Sequence, residues 1–183
     1  MPGKLNQRYT PAFFIALCAS SLLVFGLFAR PLLRSVVGAT AAATITVNTT
    51  ADDNTVNGNC TLREAIQAAN TNTAVDGCVA GVAGLDEIVF NLGAGTPTIT
   101  PTAALPSIEE AVTINGATGG ATRVELNGAG LGADGLVIHA GSTIRALVIN
   151  RFGGSAIHLE GGGGSTINNC YLGTDATGIS TAA

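Results

Sequence analysis

Two histidines and twelve carboxylates carry whatever acid–base chemistry this chain could perform. Short alternating segments turn His139, His158, Glu125, Glu160, Arg145 and Asp175 outward. Cleaving a polysaccharide takes either two carboxylates at a set separation or clustered carboxylates that hold calcium beside a basic side chain. Gly135–Gly141 aligns with Ala156–Gly162, which sets His139 directly beside Glu160 on neighbouring repeats. One imidazole and one carboxylate without a second acid fall short of either arrangement. The pair reads as a surface contact worth under about 1 kcal/mol, and no catalytic residue is assigned.

A second constellation lies upstream. Asp53-Asn54-Thr55-Val56-Asn57-Gly58, with Glu64 six residues after the glycine, approaches the spacing of a calcium loop: oxygen donors at positions 1, 3, 5 and 12, glycine at 6. Thr55 stands where Asp or Asn is expected, and the entering segment reads as strand. Calcium is the one cofactor this spacing would suit. The plainer reading is a polar turn feeding a helix, and no metal ligand is assigned. The run Gly161 to Gly164 lacks the following Lys-Ser/Thr and the helix that a phosphate loop needs.

The cysteines point to structure. Cys60 stands at a helix start and Cys78 comes eighteen residues later, after a helix and a turn, so the chain can return. In an exported protein this pair reads as a disulfide worth about 3 kcal/mol by loop entropy. Two cysteines without histidine partners at zinc-finger spacing make a poor metal site. Cys170 is left over and reads as a small buried apolar residue.

These residues must be positioned by one helix and a series of strands. Thr61 and Glu64, three apart, form a capping box. Leu62, Ala65, Ile66 and Ala69 then fall on one face, predicting a helix over 61–70 that ends in Asn70-Thr71-Asn72. Such a short helix needs a surface to lie on. Thr44–Thr49 alternates as a strand, Glu87–Phe90 is another, and Thr98–Thr100, bounded by Pro97 and Pro101, suits an edge. From Ala111 the chain is periodic. Segments beginning at Val112, Val124, Leu136, Leu147, Ile157 and Cys170 recur 10 to 13 residues apart; taken in pairs from Val124 on, they give units of 21–23 residues. After two extra residues, Ser142–Arg145 aligns with Ser165–Asn168. This is a solenoid signature, with Leu136 and Ile138 stacked inward over Ile157 and Leu159. A β-sandwich is the alternative fold, but it gives no reason for that period.

Cys60-Thr61-Leu62-Arg63-Glu64-Ala65-Ile66, with Ala68-Ala69-Asn70 after it, resembles the CSLREA domain, Thr61 replacing the usual Ser. The resemblance runs over roughly Thr44 to Thr177. It implies a secreted or surface bacterial protein in which the motif precedes a right-handed parallel β-helix, as in the related polymorphic outer-membrane proteins. It implies no reaction. Pectate lyases and polygalacturonases share the β-helix architecture, so a polysaccharide lyase or glycoside hydrolase with its active site beyond residue 183 is the competing reading.

Composition sets the compartment and excludes partners. Residues 1–43 hold Lys4 and Arg8, an uncharged apolar run of 18 residues from Ala12 to Ala29, and the small residues Gly38–Ala43. That order is a secretory signal peptide, although the run approaches a membrane span, so a retained N-terminal anchor stays open. From Thr44 onward four arginines face twelve carboxylates, a net charge of −8, with no lysine. That excludes nucleic acid as a partner and leaves no basic patch for anionic lipid; the membrane is met only through an uncleaved leader. The organisation expected is therefore a leader (1–43), a CSLREA-type cap (44–110) and β-helix coils (111–183) that continue in a longer chain. The fold is all-β with one capping helix. The function expected is binding, adhesion or structural support at the cell surface, with glycans or other surface components as ligands.

Overall fold

In the computed structural model, residues 41–161 and 163–182 are described; they belong to a unit running from Ala39 to Ala183. Residues 1–40 of the leader lie outside the described residues. Among the described residues, eleven strands and one helix follow in order: β1 (Thr44–Val47), α1 (Leu62–Thr71), β2 (Asp86–Phe90), β3 (Thr98–Ile99), β4 (Val112–Asn115), β5 (Val124–Leu131), β6 (Leu136–Ile138), β7 (Thr143–Arg145), β8 (Leu147–Phe152), β9 (Ile157–Leu159), β10 (Thr166–Asn168) and β11 (Tyr171–Leu172). The strands pair in parallel with those of the next turn of chain, forming a β-solenoid of about four turns. It has three faces: a five-stranded sheet β1-β2-β4-β7-β10, a four-stranded sheet β3-β5-β8-β11, and the pair β6-β9.

Register explains the core. Ile45, Ile88, Ile114, Ile144 and Ile167 occupy one inward column of the first face. Ile99, Leu126, Ile149 and Leu172 do the same on the second, and Ile108, Ile138 and Leu159 on the third. Period-two alternation sends each of these side chains between the faces, where full burial stabilises by about 1.5–3 kcal/mol per residue. Ile45, Ile88, Ile114 and Ile144 are fully buried. Leu159, Ile167 and Leu172, on the outermost strands, are 51%, 38% and 42% exposed.

The 21–23-residue spacing holds in the later coils: Leu136 lies opposite Ile157, Val124 opposite Leu147, and Thr143 opposite Thr166. Earlier coils are longer, with Asp86 opposite Val112 and Thr113 opposite Thr143. A coil also contains three strands, not two. The third is hidden in the sequence because Ala146 alone separates β7 from β8 and turns the corner at φ 55°. Without that corner β7 and β8 read as one run.

Helix α1 forms where the capping box predicts it, with Thr61 as N-cap and Asn72 in the left-handed conformation at its end. Leu62, Ala65, Ile66, Ala68 and Ala69 are buried in the same core as Ile45 and Ile88, and α1 packs on β1, the edge strand of the first face, and on β2. No helix among the described residues is long and apolar enough to cross a membrane.

Candidate functional site

The residues singled out by the sequence fall into three groups, set apart by the solenoid register. On the third face, Ile108, Ile138 and Leu159 are stacked, so the next residues, Glu109, His139 and Glu160, stand in one outward column. His139 Nδ1 lies 2.9 Å from Glu109 Oε2 and Nε2 lies 3.3 Å from Glu160 Oε2. The Glu160 contact is the one the repeat alignment predicts. Glu109 is the second acid that sequence reasoning missed, because Ile108 joins the sheet through one isolated bridge, in a segment following Pro106 that has no strand pattern. The signal was an apolar residue followed by a polar one, recurring as Ile108-Glu109, Ile138-His139 and Leu159-Glu160.

The hydrogen bond that the ring donates to Glu109, reinforced by the one to Glu160, raises the pKa of His139 above the ordinary histidine value. Both ring nitrogens lie within hydrogen-bonding reach of a carboxylate oxygen, so each N–H of the protonated ring has an acceptor. The column is suited to holding charge across three coils. His158 forms a separate pair, with Nδ1 3.0 Å from Asp134 Oδ2. The backbone N–H of Ser155, followed by His158, holds the Asp134 carboxyl below the usual range.

The second group surrounds α1. Cys60 and Cys78 form a disulfide and both are buried. The Thr61 N–H donates to Glu64 Oε2 at 2.9 Å, and the Glu64 N–H donates back to Thr61 Oγ1 at 3.2 Å. Glu64 is 1% exposed and its carboxylate is committed to the cap. Of the other calcium-loop positions, Asp53 Oδ1 accepts from the Thr55 N–H and hydroxyl and from the Asn57 amide, forming an exposed Asx-type turn. The Thr55 hydroxyl and N–H lower the Asp53 pKa. The loop therefore closes on itself, with Glu64 turned into the helix start; no group of three His, Cys, Asp or Glu side chains among the described residues is placed to hold a metal ion.

Arg63 was given no role by the sequence, yet it ties the helix to the first coil. Its Nε and Nη2 donate to the two oxygens of Asp52 at 3.0 and 2.9 Å, and its Nη2 and Nη1 donate to the Ala103 and Ala104 carbonyls. The Thr102 N–H and hydroxyl donate to Asp52 as well.

The remaining candidates stand apart. Glu125 accepts from the Thr98 hydroxyl and from the Asn150 amide on the second face. Asp175 closes a turn with the Thr177 N–H and hydroxyl. Arg145 Nη2 is 3.7 Å from Glu87 Oε1 on the first face. Cys170 is a free thiol, half-buried against the core, and burial raises its pKa. No family model, curated protein or solved structure matches this chain.

Proposed function

We propose that this chain is an exported β-solenoid of the CSLREA type, with a right-handed coil and α1 capping its first end. It serves as a binding or structural module at the cell surface, and glycans or other surface components are its ligands. The observation that carries this reading is the buried Cys60–Cys78 disulfide at the heptapeptide, since such bonds persist in oxidising compartments. The heptapeptide supports the family reading residue by residue. Cys60 supplies the crosslink, Thr61 and Glu64 the cap, Leu62, Ala65 and Ile66 the core contacts, and Arg63 the tie to Asp52.

In the column of His139 each carboxylate places one oxygen, Oε2, against the ring between them, as a surface ion-pair ladder does. The reading is tested by expressing the chain with its leader in a bacterial host, fractionating the cells and titrating thiols. Recovery outside the cytoplasm with only the Cys170 thiol reactive in the denatured mature protein is the result expected. Retention in the cytoplasm with Cys60 and Cys78 reduced would overturn it.

A further inference from the structure

The three faces differ in what their outward polar groups are doing. On the third face, His139 and His158 are paired with carboxylates. On the second, the Thr98 hydroxyl and Asn150 amide are committed to Glu125, and Arg123 lies over the Tyr171 ring while binding Asn169. The first face is different. Its outward columns are Thr44, Glu87, Thr113, Thr143, Thr166 and, beside it, Thr46, Val89, Arg145, Asn168, while Asn115 in the register of the second column is buried.

Hydrogen bonds from the threonine hydroxyls of this face to other described residues are lacking, as they are for the Asn168 amide. Arg145 and Glu87 face each other at 3.7 Å, beyond direct hydrogen bonding, and their side chains are 46% and 36% exposed. Glu87, Thr113, Thr143, Arg145 and Asn168 line a groove of about 440 Å³.

We propose that this groove binds a neutral, extended glycan running along the solenoid axis, a proposal that rests on the surface-binding reading above. Hydroxyls on successive strands recur about every 4.8 Å, so the groove offers donors and acceptors in a straight line to a polymer that carries hydroxyls in a straight line. The Glu87 carboxylate and the Arg145 guanidinium form an ion pair at 3.7 Å with both side chains more than a third exposed, so each still presents polar atoms to sugar hydroxyls, the carboxylate as acceptor and the guanidinium as donor. Exposed Leu85 at the groove edge supplies an apolar patch for a sugar ring face. The net charge of −8 from Thr44 onward repels polyanions, which selects a neutral chain.

The test uses the purified, oxidised protein and three probes: insoluble cellulose, insoluble chitin and immobilised polygalacturonate. Thr113→Val and Thr143→Val remove hydroxyls while keeping shape and strand preference, Arg145→Gln removes the guanidinium, and Thr98→Val makes the same hydroxyl deletion on the second face. Each variant is first checked by circular dichroism, and the single substitutions stand in if the triple variant does not fold. Retention on cellulose or chitin that falls at least tenfold in Thr113→Val/Thr143→Val/Arg145→Gln and is unchanged in Thr98→Val is the result expected. Equal retention of the triple variant overturns this groove while leaving glycan binding intact. Preference for polygalacturonate overturns the neutral class. No retention on any polymer overturns both the groove and the glycan reading.

Discussion

Arg63 and Asp52 form a two-point ion pair, Nε–Oδ1 3.0 Å and Nη2–Oδ2 2.9 Å, in which the aspartate side chain is 2% exposed. The arginine of the heptapeptide is thus a tie between α1, the loop before it and the first coil. Burial alone would raise the Asp52 pKa, but the hydrogen bonds from Arg63 and Thr102 outweigh it and hold the carboxyl below its ordinary value. Asp52→Asn keeps the shape and leaves the guanidinium without its counter-ion, so it should destabilise by about 2–3 kcal/mol. Urea unfolding at neutral pH measures it. Because the folded-state value is depressed, the contribution is present above the unfolded value and is lost as pH falls through the folded one. The gap between wild type and Asp52→Asn should therefore close in acid.

The column of His139 predicts the opposite pH response. Its folded-state pKa is raised, chiefly by Glu109. The stabilisation is fully present below about 6.5, the ordinary histidine value, and is lost as pH rises through the raised value. The wild-type urea midpoint should therefore decline across that window, while Glu109→Gln should show a shallower decline. Parallel curves for the two proteins would refute the coupling.

Ile144 and Ile167 share an inward column one coil apart, the first fully buried and the second 38% exposed. Ile144→Ala should cost about 3–4 kcal/mol, since it opens a cavity between fixed coils. Ile167→Ala should cost about 1 kcal/mol, because one side of its site is already open. Thermal or urea unfolding of the two variants reads the contrast directly.

Reducing the protein, or replacing Cys60 and Cys78 together by Ser, removes a crosslink with a sequence separation of 18. The loss should be about 3 kcal/mol, mostly through the unfolded chain. The Cys170→Ser variant should unfold within about 1 kcal/mol of wild type. Comparable losses at both sites would deny the disulfide its role.

Much of this fold was legible because register in a solenoid is written as repetition. Aligning Leu136 with Ile157 and Ser142 with Ser165 needed only the recurrence of similar segments, and that alone placed His139 against Glu160. The capping box was equally local, since Thr61 and Glu64 are three residues apart. What escaped was whatever depended on corners and on distant chain. Ala146 turns between two strands without a glycine to mark it, so the three-sided coil looked two-sided. Glu109 reaches its column from a segment after a proline, thirty residues before His139, and Arg63 finds Asp52 eleven residues upstream and two carbonyls about forty residues downstream. Those partners meet only after the coils are stacked.

Strands that pair only with the turns above and below make this a quasi-one-dimensional structure, in which opening proceeds inward from an end. The two ends are unequal. The disulfide, the capping box and the Arg63–Asp52 tie all gather at the α1 end, whereas in β9, β10 and β11 the inward Leu159, Ile167 and Leu172 are partly exposed, and among the described residues each of these strands pairs with one other strand. The molecule should therefore behave as a zipper with one stitched end. Amide hydrogens should exchange earliest in β10 and β11 and latest around Ile45, Ile88 and Ile66, a gradient of local stability running along the axis and set by distance from the stitch.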